Sequence, residues 1–169
     1  EAALQSFNRA LEIQPDHYES LVYGGLLYQQ AEDLDAAEKL WLTASEIKPN
    51  AEVESNLGVI YMQRERFADA LQRFEKAAVI SPKFARAHYN RGVILQKQDK
   101  LAEAAESYGA AIDADPTAAP SYLNLAIVQT KQGDRPAAIA NLEQFLVVAP
   151  PEMEQARAAA RKRLEALRN

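Results

Sequence analysis

The chain has 169 residues, of which 48% are hydrophobic and 25% are charged, and it contains no cysteine. This composition indicates a folded domain with enough apolar side chains for a core, and it excludes a disulfide scaffold. The net charge of −5 argues against nucleic-acid binding, because neutralising phosphates requires a basic surface. No apolar run approaches the roughly 18 residues of a membrane-spanning helix, so we expect no membrane insertion by this segment.

Apolar residues recur at helical spacing along the whole chain. Leu57, Ile60 and Tyr61, for example, follow the i, i+3, i+4 pattern of one helical face. The sequence has only six glycines, which are poor helix formers, and no stretch alternates with the period of two that a half-buried strand shows. The predicted fold class is therefore all-α.

Proline recurs with a nearly constant period. Similar segments end at five prolines that are 34, 33, 34 and 34 residues apart, namely Pro15, Pro49, Pro82, Pro116 and Pro150. Because proline lacks the N–H group that a continuing helix needs, each of these positions marks the end of a helix. A period of this length predicts an array of repeats.

Each of these prolines follows a helix with the same arrangement of small and large residues. An alanine stands twelve residues before the proline and a large side chain eight before it, in the pairs Ala3 and Phe7, Ala37 and Trp41, Ala70 and Phe74, Ala104 and Tyr108, and Ala138 and Leu142. Residues four apart share one helical face. The preceding helices carry small residues at matching positions, Gly25, Gly58, Gly92 and Ala126, where we expect the paired helices to touch.

These residues resemble the tetratricopeptide repeat, a helix-turn-helix of 34 residues with the pattern W-x2-L-G-x2-Y, then A-x3-F, then P. The fullest copy runs over residues 56–61 and continues with Ala70, Phe74, Ala77 and Pro82. The resemblance implies an all-α, right-handed superhelical solenoid. The chain departs from the pattern at Glu54 and His88, which stand where tryptophan is usual.

The phase of the family divides the chain into consecutive elements of a single domain. Residues 1–17 are predicted to be the second helix of a truncated repeat, four repeats follow at 18–50, 51–84, 85–118 and 119–152, and a capping helix occupies 153–169. The apolar residues of the first element, Leu4, Phe7 and Leu11, lack a preceding partner helix. We therefore expect either that the parent protein continues N-terminally or that residues 1–17 pair with a second copy.

In this family the first helix of each pair lines a concave groove, so the resemblance places the function there. Asn56, Asn90 and Asn124 are spaced by 34 residues on these helices, and their faces also carry Val59, Val93 and Ile127. Asparagine offers both a donor and an acceptor, so a column of asparagines can bond the backbone of an extended peptide. A second interpretation remains open, in which asparagine is simply frequent at this position in the family and contacts no ligand.

Five further residues complete the predicted peptide-binding groove. Tyr23 replaces asparagine in the first full repeat, and Tyr89 either stacks on a ligand or packs against the next repeat. Arg86, Lys97 and Lys131 place positive charge near the asparagines, which favours an acidic or carboxylate-bearing peptide, although scattered surface charges are an alternative explanation. The clamp with which some family members hold chaperone C-termini matches the chain in neither register.

Chemistry beyond binding finds little support in the sequence. Two histidines and no cysteine leave few ways to build a nucleophile with its base or a metal site, so we predict no catalytic residue, no metal and no cofactor. The predicted function is a non-catalytic scaffold or assembly factor that binds a peptide segment of a partner protein. The alternatives are a substrate-docking domain of a larger enzyme such as a glycosyltransferase, and a homo-oligomeric scaffold.

Overall fold

A computed structural model describes the backbone of residues 2–169 and the side chains of residues 5–7 and 9–169. Over this range the chain forms α-helices and one 3-10 turn, Pro151–Met153, and contains no β-strand. The helices are α1 (Ala2–Ile13), α2 (Tyr18–Gln30), α3 (Leu34–Ile47), α4 (Ala51–Gln63), α5 (Phe67–Ile80), α6 (Ala85–Lys97), α7 (Leu101–Ala114), α8 (Ala119–Gln132), α9 (Arg135–Val148) and α10 (Glu154–Arg168). The predicted all-α class is confirmed.

The helices belong to two compact units, Glu1–Ser81 and Pro82–Asn169, which we call unit 1 and unit 2. In unit 1, α2 packs with α3 and α4 packs with α5, while α1 lies against α2. In unit 2, α6 packs with α7 and α8 packs with α9, while α10 lies against α9. Each unit is thus built from helix pairs that contact their neighbours along the chain, as in repeat proteins.

Every first helix ends in the same tight turn. The residue that leaves the helix has a left-handed backbone, with φ of 62° at Glu32, 56° at Glu65, 59° at Asp99 and 81° at Gly133. The next N–H group bonds to the carbonyl five residues earlier, as from Arg66 to Tyr61 at 2.8 Å. This is the Schellman arrangement, which satisfies the last carbonyls of the helix and turns the chain into its partner helix.

In three of the four helix pairs, a glycine of the first helix lies against a large residue of the second, while α8 carries Ala126 at the matching position. A Cβ atom added to Gly58 would lie 2.6 Å from the Phe74 ring, and one added to Gly92 would lie 2.7 Å from the Tyr108 ring. Gly25 makes the same approach to Trp41, whose indole N–H donates to the Val22 carbonyl at 3.1 Å. The expected contact of small residues between paired helices is therefore present in both units.

The C-terminal helix α10 covers an apolar face of the last pair. Ala160 and Leu164 are buried in one cluster with Phe145 of α9. The Arg157 guanidinium donates to the carbonyls of Leu146, at 2.9 Å, and Ala149, at 2.5 Å, where α9 ends. A cation at this place also stabilises the helix dipole.

The N-terminal helix α1 contacts α2 through aromatic packing. The Phe7 and Tyr23 rings are stacked, with centroids 6.3 Å apart, and Leu11 packs against the core of unit 1. Ala3 and Leu4, which belong to the predicted apolar face of this helix, lie outside the described side chains.

Candidate functional site

The three asparagines of the predicted column differ in depth. Asn56 on α4 has 3% of its surface exposed and Asn90 on α6 has 9%, whereas Asn124 on α8 is half-buried. The Asn124 side-chain amide donates to the Tyr89 hydroxyl at 3.2 Å. Asn124 is therefore the most exposed of the three asparagines.

In unit 2, residues of α6, α7 and α8 form an open cleft of about 510 Å³, which we call the tyrosine cleft. Its lining residues are Tyr89, Val93, Gln96, Lys97, Tyr108, Asn124 and Lys131. The structure thus brings three of the residues predicted on α6 and two of their counterparts on α8 close to one surface, although Asn90 and Arg86 do not line this cleft.

The aromatic wall of the tyrosine cleft is held in place by hydrogen bonds. The Tyr89 and Tyr108 rings are tilted at 51° with centroids 5.8 Å apart, and the Tyr108 hydroxyl donates to Gln96 Oε1 at 2.7 Å. Tyr89 also accepts the bond from Asn124, so it packs against the next repeat while one side lines the cleft.

The charge of the tyrosine cleft comes from its lysines. Burial raises the pKa of the Tyr108 phenol, and neighbouring Tyr89 raises it further, while a hydrogen bond with Asn124 opposes the shift. Tyr108 therefore stays neutral at physiological pH, and Lys97 and Lys131 are the charged side chains of the lining. Such a surface attracts carboxylates and offers hydroxyl and amide groups to a peptide backbone.

A smaller depression of about 230 Å³ lies beside the N-terminal ends of α6 and α8 and is lined in part by Arg86, Tyr89 and Asp115. The Arg86 guanidinium lies 5.3 Å from the centroid of the Phe84 ring. Tyr89 borders both this depression and the tyrosine cleft.

Unit 1 has a cleft of different chemistry between its first helices α2 and α4. This glutamine cleft has a volume of about 460 Å³ and is lined by Leu26, Leu27, Gln29, Gln30 and Gln63. Of the predicted groove residues in this unit, Tyr23 is 55% exposed and Val59 is half-buried, and neither lines the cleft. The lining of the glutamine cleft thus combines three side-chain amides with two leucines and carries no charged side chain.

A third cleft joins α8 to the C-terminal helix and was not predicted from the sequence. This anchor cleft has a volume of about 290 Å³ and is lined by Ile127, Thr130, Lys131, Arg163, Ala166 and Leu167. The predicted groove residues Ile127 and Lys131 both belong to it. The available signal was the mixture of apolar and basic residues on the last helix, which is also what a capping helix requires.

A buried carboxylate in unit 1 was also not predicted from the sequence. Glu54 is fully buried, and its carboxylate receives the Ser45 hydroxyl at 2.5 Å, Lys76 Nζ at 2.5 Å and the Arg73 guanidinium at 2.9 Å. Burial alone would raise the pKa of Glu54, but the bonds from Lys76, Ser45 and Arg73 outweigh it and hold the pKa below its ordinary value. The signal was Glu54 itself, a charged residue where the repeat normally has tryptophan.

In the part of the chain that the structure describes, no group of three or more His, Cys, Asp and Glu side chains is arranged to hold a metal ion. None of the helices described above is long and apolar enough to cross a membrane.

The successive helix pairs, their glycine contacts and their repeated turns define a helical repeat protein. One family model, described as TPR repeat, matches residues 58–99, and a second, described as tetratricopeptide repeat, matches residues 85–118. Residues 58–118, which the two models cover together, are therefore tetratricopeptide repeats (TPR). No curated protein sequence matches it significantly.

Three solved structures illustrate the similarity of fold. The crystal structure of MamA superposes with a TM-score of 0.79 at 19% identity, covering 92% of this chain and 90% of that chain. YrrB, described as a TPR protein with an unusual peptide-binding site, gives 0.75 at 22% identity, covering 96% and 83%. Pseudomonas aeruginosa pilF gives 0.78 at 20% identity, covering 95% and 81%. These similarities establish the fold.

Proposed function

We propose that this protein is a non-catalytic interaction scaffold that binds an extended segment of a partner protein along the first helices of its repeats. The observation that carries the proposal is the tyrosine cleft, where two lysines, two tyrosines and two side-chain amides line one open surface of unit 2. An extended peptide presents backbone N–H and C=O groups that such amides and hydroxyls can bond. YrrB, which has a similar fold, is described as having a peptide-binding site, and this supports peptide binding as the function of the fold here.

The proposal gives the lining residues separate roles. Asn124 bonds the ligand backbone beside Tyr89, Val93 provides apolar contact, and Lys97 and Lys131 select carboxylates. Asn56 and Asn90 expose too little surface to share that role directly, so we place them in the floor beneath the binding face. The preferred ligand of unit 2 is therefore an acidic segment.

The test reverses the charge of the cleft and compares that variant with a control variant of the same net charge. A variant with Lys97→Glu and Lys131→Glu is compared with a control carrying Lys83→Glu and Lys100→Glu, two exposed lysines of the same unit outside the clefts described above. Both are used to capture proteins from native extract for quantitative mass spectrometry, after circular dichroism has shown equal helicity.

We expect proteins that the native chain and the control retain but the cleft variant loses, and the retained peptides should be rich in Asp and Glu. Adding Asn124→Ala to the native chain should weaken the same partners by a smaller factor. If the cleft variant and the control retain the same proteins in the same amounts, binding does not use the tyrosine cleft and the proposal is wrong.

A further inference from the structure

The C-terminal helix does more than cover the last repeat. One side of α10 buries Ala160 and Leu164 against α9, while Arg163, Ala166 and Leu167 line the anchor cleft together with residues of α8. We propose that the anchor cleft binds one large apolar side chain of the partner segment, next to a carboxylate of that segment. This inference rests on the proposed function, and it specifies which segments the groove accepts.

The walls of the anchor cleft suit an apolar group. Ile127, Ala166 and Leu167 contribute aliphatic surface, and Thr130 adds its methyl group, because its hydroxyl is already used in a bond to the Ala126 carbonyl at 2.7 Å. A volume of about 290 Å³ accommodates an aliphatic or aromatic side chain. Burying such a side chain should strengthen binding by about tenfold or more.

The cations of the anchor cleft are available to a ligand, in contrast to others on α10. Arg157 bonds to carbonyls of α9, and Arg168 pairs with Glu143 at 2.5 Å. Lys131 and Arg163 make no ion pair or hydrogen bond with any side chain or carbonyl that the structure describes. Two such cations beside apolar walls complement a carboxylate, whereas a basic ligand would be repelled.

Acidic residues of the same helix do not occupy the anchor cleft. Glu165 lines a different depression of α10, together with Arg161 and Arg168. The positive charge of Lys131 and Arg163 is therefore not cancelled within the lining.

Lys131 connects the anchor cleft with the tyrosine cleft, since it lines both. If Lys131 binds a carboxylate of the ligand, the ligand residue on one side of that carboxylate lies beside the apolar walls of the anchor cleft. The residue on the other side lies beside Tyr89 and Asn124 in the tyrosine cleft. The ligand that satisfies both clefts is an acidic segment with a leucine-like or phenylalanine-like residue among its carboxylates.

The probes are fluorescently labelled peptides whose affinity is measured by anisotropy. The first has the sequence Gly-Glu-Glu-Leu-Glu-Glu-Gly, the second carries serine in place of leucine, and the third carries glutamine in place of every glutamate. The native chain should bind the first peptide at least about tenfold more tightly than either of the others.

Two variants of α10 test the site from the side of the protein. Ala166→Trp fills the cleft at an exposed position, and Arg163→Glu reverses one of its cations, while Lys162→Glu changes the charge equally at the neighbouring exposed residue. We expect Ala166→Trp and Arg163→Glu each to lower the affinity for the leucine peptide about tenfold, and the control Lys162→Glu to change that affinity by less than about twofold. The serine peptide should be insensitive to Ala166→Trp.

The outcomes separate this inference from the proposed function. If the leucine and serine peptides bind equally and Ala166→Trp has no effect, or if Lys162→Glu weakens binding as much as Arg163→Glu, the anchor site is overturned. The proposed function would still hold in that case if Lys97→Glu with Lys131→Glu abolished binding. Failure of the native chain to bind any of the three peptides at millimolar concentration would contradict the anchor site, while the protein-capture experiment would continue to test the groove.

Discussion

The same repeat position carries different chemistry in the two units. In unit 1 it is Leu21 on α2, which is buried in the core, and Glu54 on α4, which is fully buried and bound by side chains of α3 and α5. In unit 2 it is His88, whose ring Nε2–H donates to the Pro82 carbonyl at 2.8 Å, and Tyr122, whose hydroxyl donates to the Pro116 carbonyl at 3.2 Å. The repeated helix pairs therefore fix the place of a side chain. The residues around that place decide whether the side chain forms ion pairs or donates a hydrogen bond to a backbone carbonyl.

The first-helix clefts differ between the units in the same way. The last turn of these helices carries Gln30 and Gln63 in unit 1 but Lys97 and Lys131 in unit 2, and all four residues line clefts. Unit 1 buries Glu54 among charged donors, whereas unit 2 carries two lysines in the lining of its cleft. Under the proposed function, this contrast assigns the preference for an acidic ligand to unit 2.

The largest effect should come from isolating the buried carboxylate of unit 1. Changing both Arg73→Met and Lys76→Met leaves Glu54 buried with only Ser45 as a donor. An uncompensated buried charge costs about 3–5 kcal/mol of unfolding free energy. Urea denaturation followed by circular dichroism measures the loss.

The control for this experiment adds Glu54→Leu to the double variant. Since an apolar residue of similar size needs no partner, we expect most of the lost stability to return. A triple variant as unstable as the double variant would show that the two cations stabilise unit 1 through their own packing.

The second prediction concerns the glycine contacts that both units share. Gly58→Ala and Gly92→Ala place a Cβ within 3 Å of an aromatic ring, so each should cost about 1–3 kcal/mol through overpacking. The control is Gly109→Ala, because a Cβ there meets no atom within 4 Å, and this change should instead stabilise its helix by about 0.5–1 kcal/mol. Thermal unfolding distinguishes the signs.

Acid should weaken unit 1 through Glu54, with a smaller effect. Because its pKa is lowered in the folded state, the ionised carboxylate contributes stability above its unfolded pKa of about 4.3, and this contribution is lost as the pH falls through the folded-state pKa. The stability advantage over a Glu54→Gln variant should therefore shrink below about pH 4.3. Urea midpoints measured between neutral and acidic pH would contradict this if the advantage stayed constant.

The smallest effect is expected for the backbone-capping position of unit 2. Tyr122→Phe removes one surface hydrogen bond to the Pro116 carbonyl and should cost about 0.5–1 kcal/mol. Tyr23→Phe, at a tyrosine that is 55% exposed, is the matched control and should be nearly neutral. Equal losses in the two variants would mean that the capping bond contributes nothing.

Much of the fold was predictable because it depends on local and periodic signals. The prolines marked the ends of the second helices, and the small and large residues marked the contacts that Gly58 and Gly92 make. The TPR family followed from the same residues and is confirmed by two family matches. Self-association through residues 1–17, and a docking role within a larger enzyme, stay predictions.

The candidate site was predictable only in part. The sequence placed Tyr89, Asn124 and the two lysines on matching first helices, and the tyrosine cleft brings them together. It gave no measure of depth, so Asn56 and Asn90 were expected on a surface where the structure leaves them little exposure. The anchor cleft was missed because helix periodicity identifies the face of α10 that packs on α9 and does not show which residues of α8 meet the edge of that face.

The sequence by itself determined the repeat, its period, the helices and the family, because these depend on residues a few positions apart whose spacing is set by the helical turn. Only the tertiary structure decided which side chains meet across helices. The bond between Tyr89 and Asn124, the three donors around Glu54 and the shared wall of Lys131 and Arg163 join residues that lie from nine to 35 positions apart along the chain. Such contacts depend on how neighbouring helices are rotated and tilted, and a repeat pattern leaves both open.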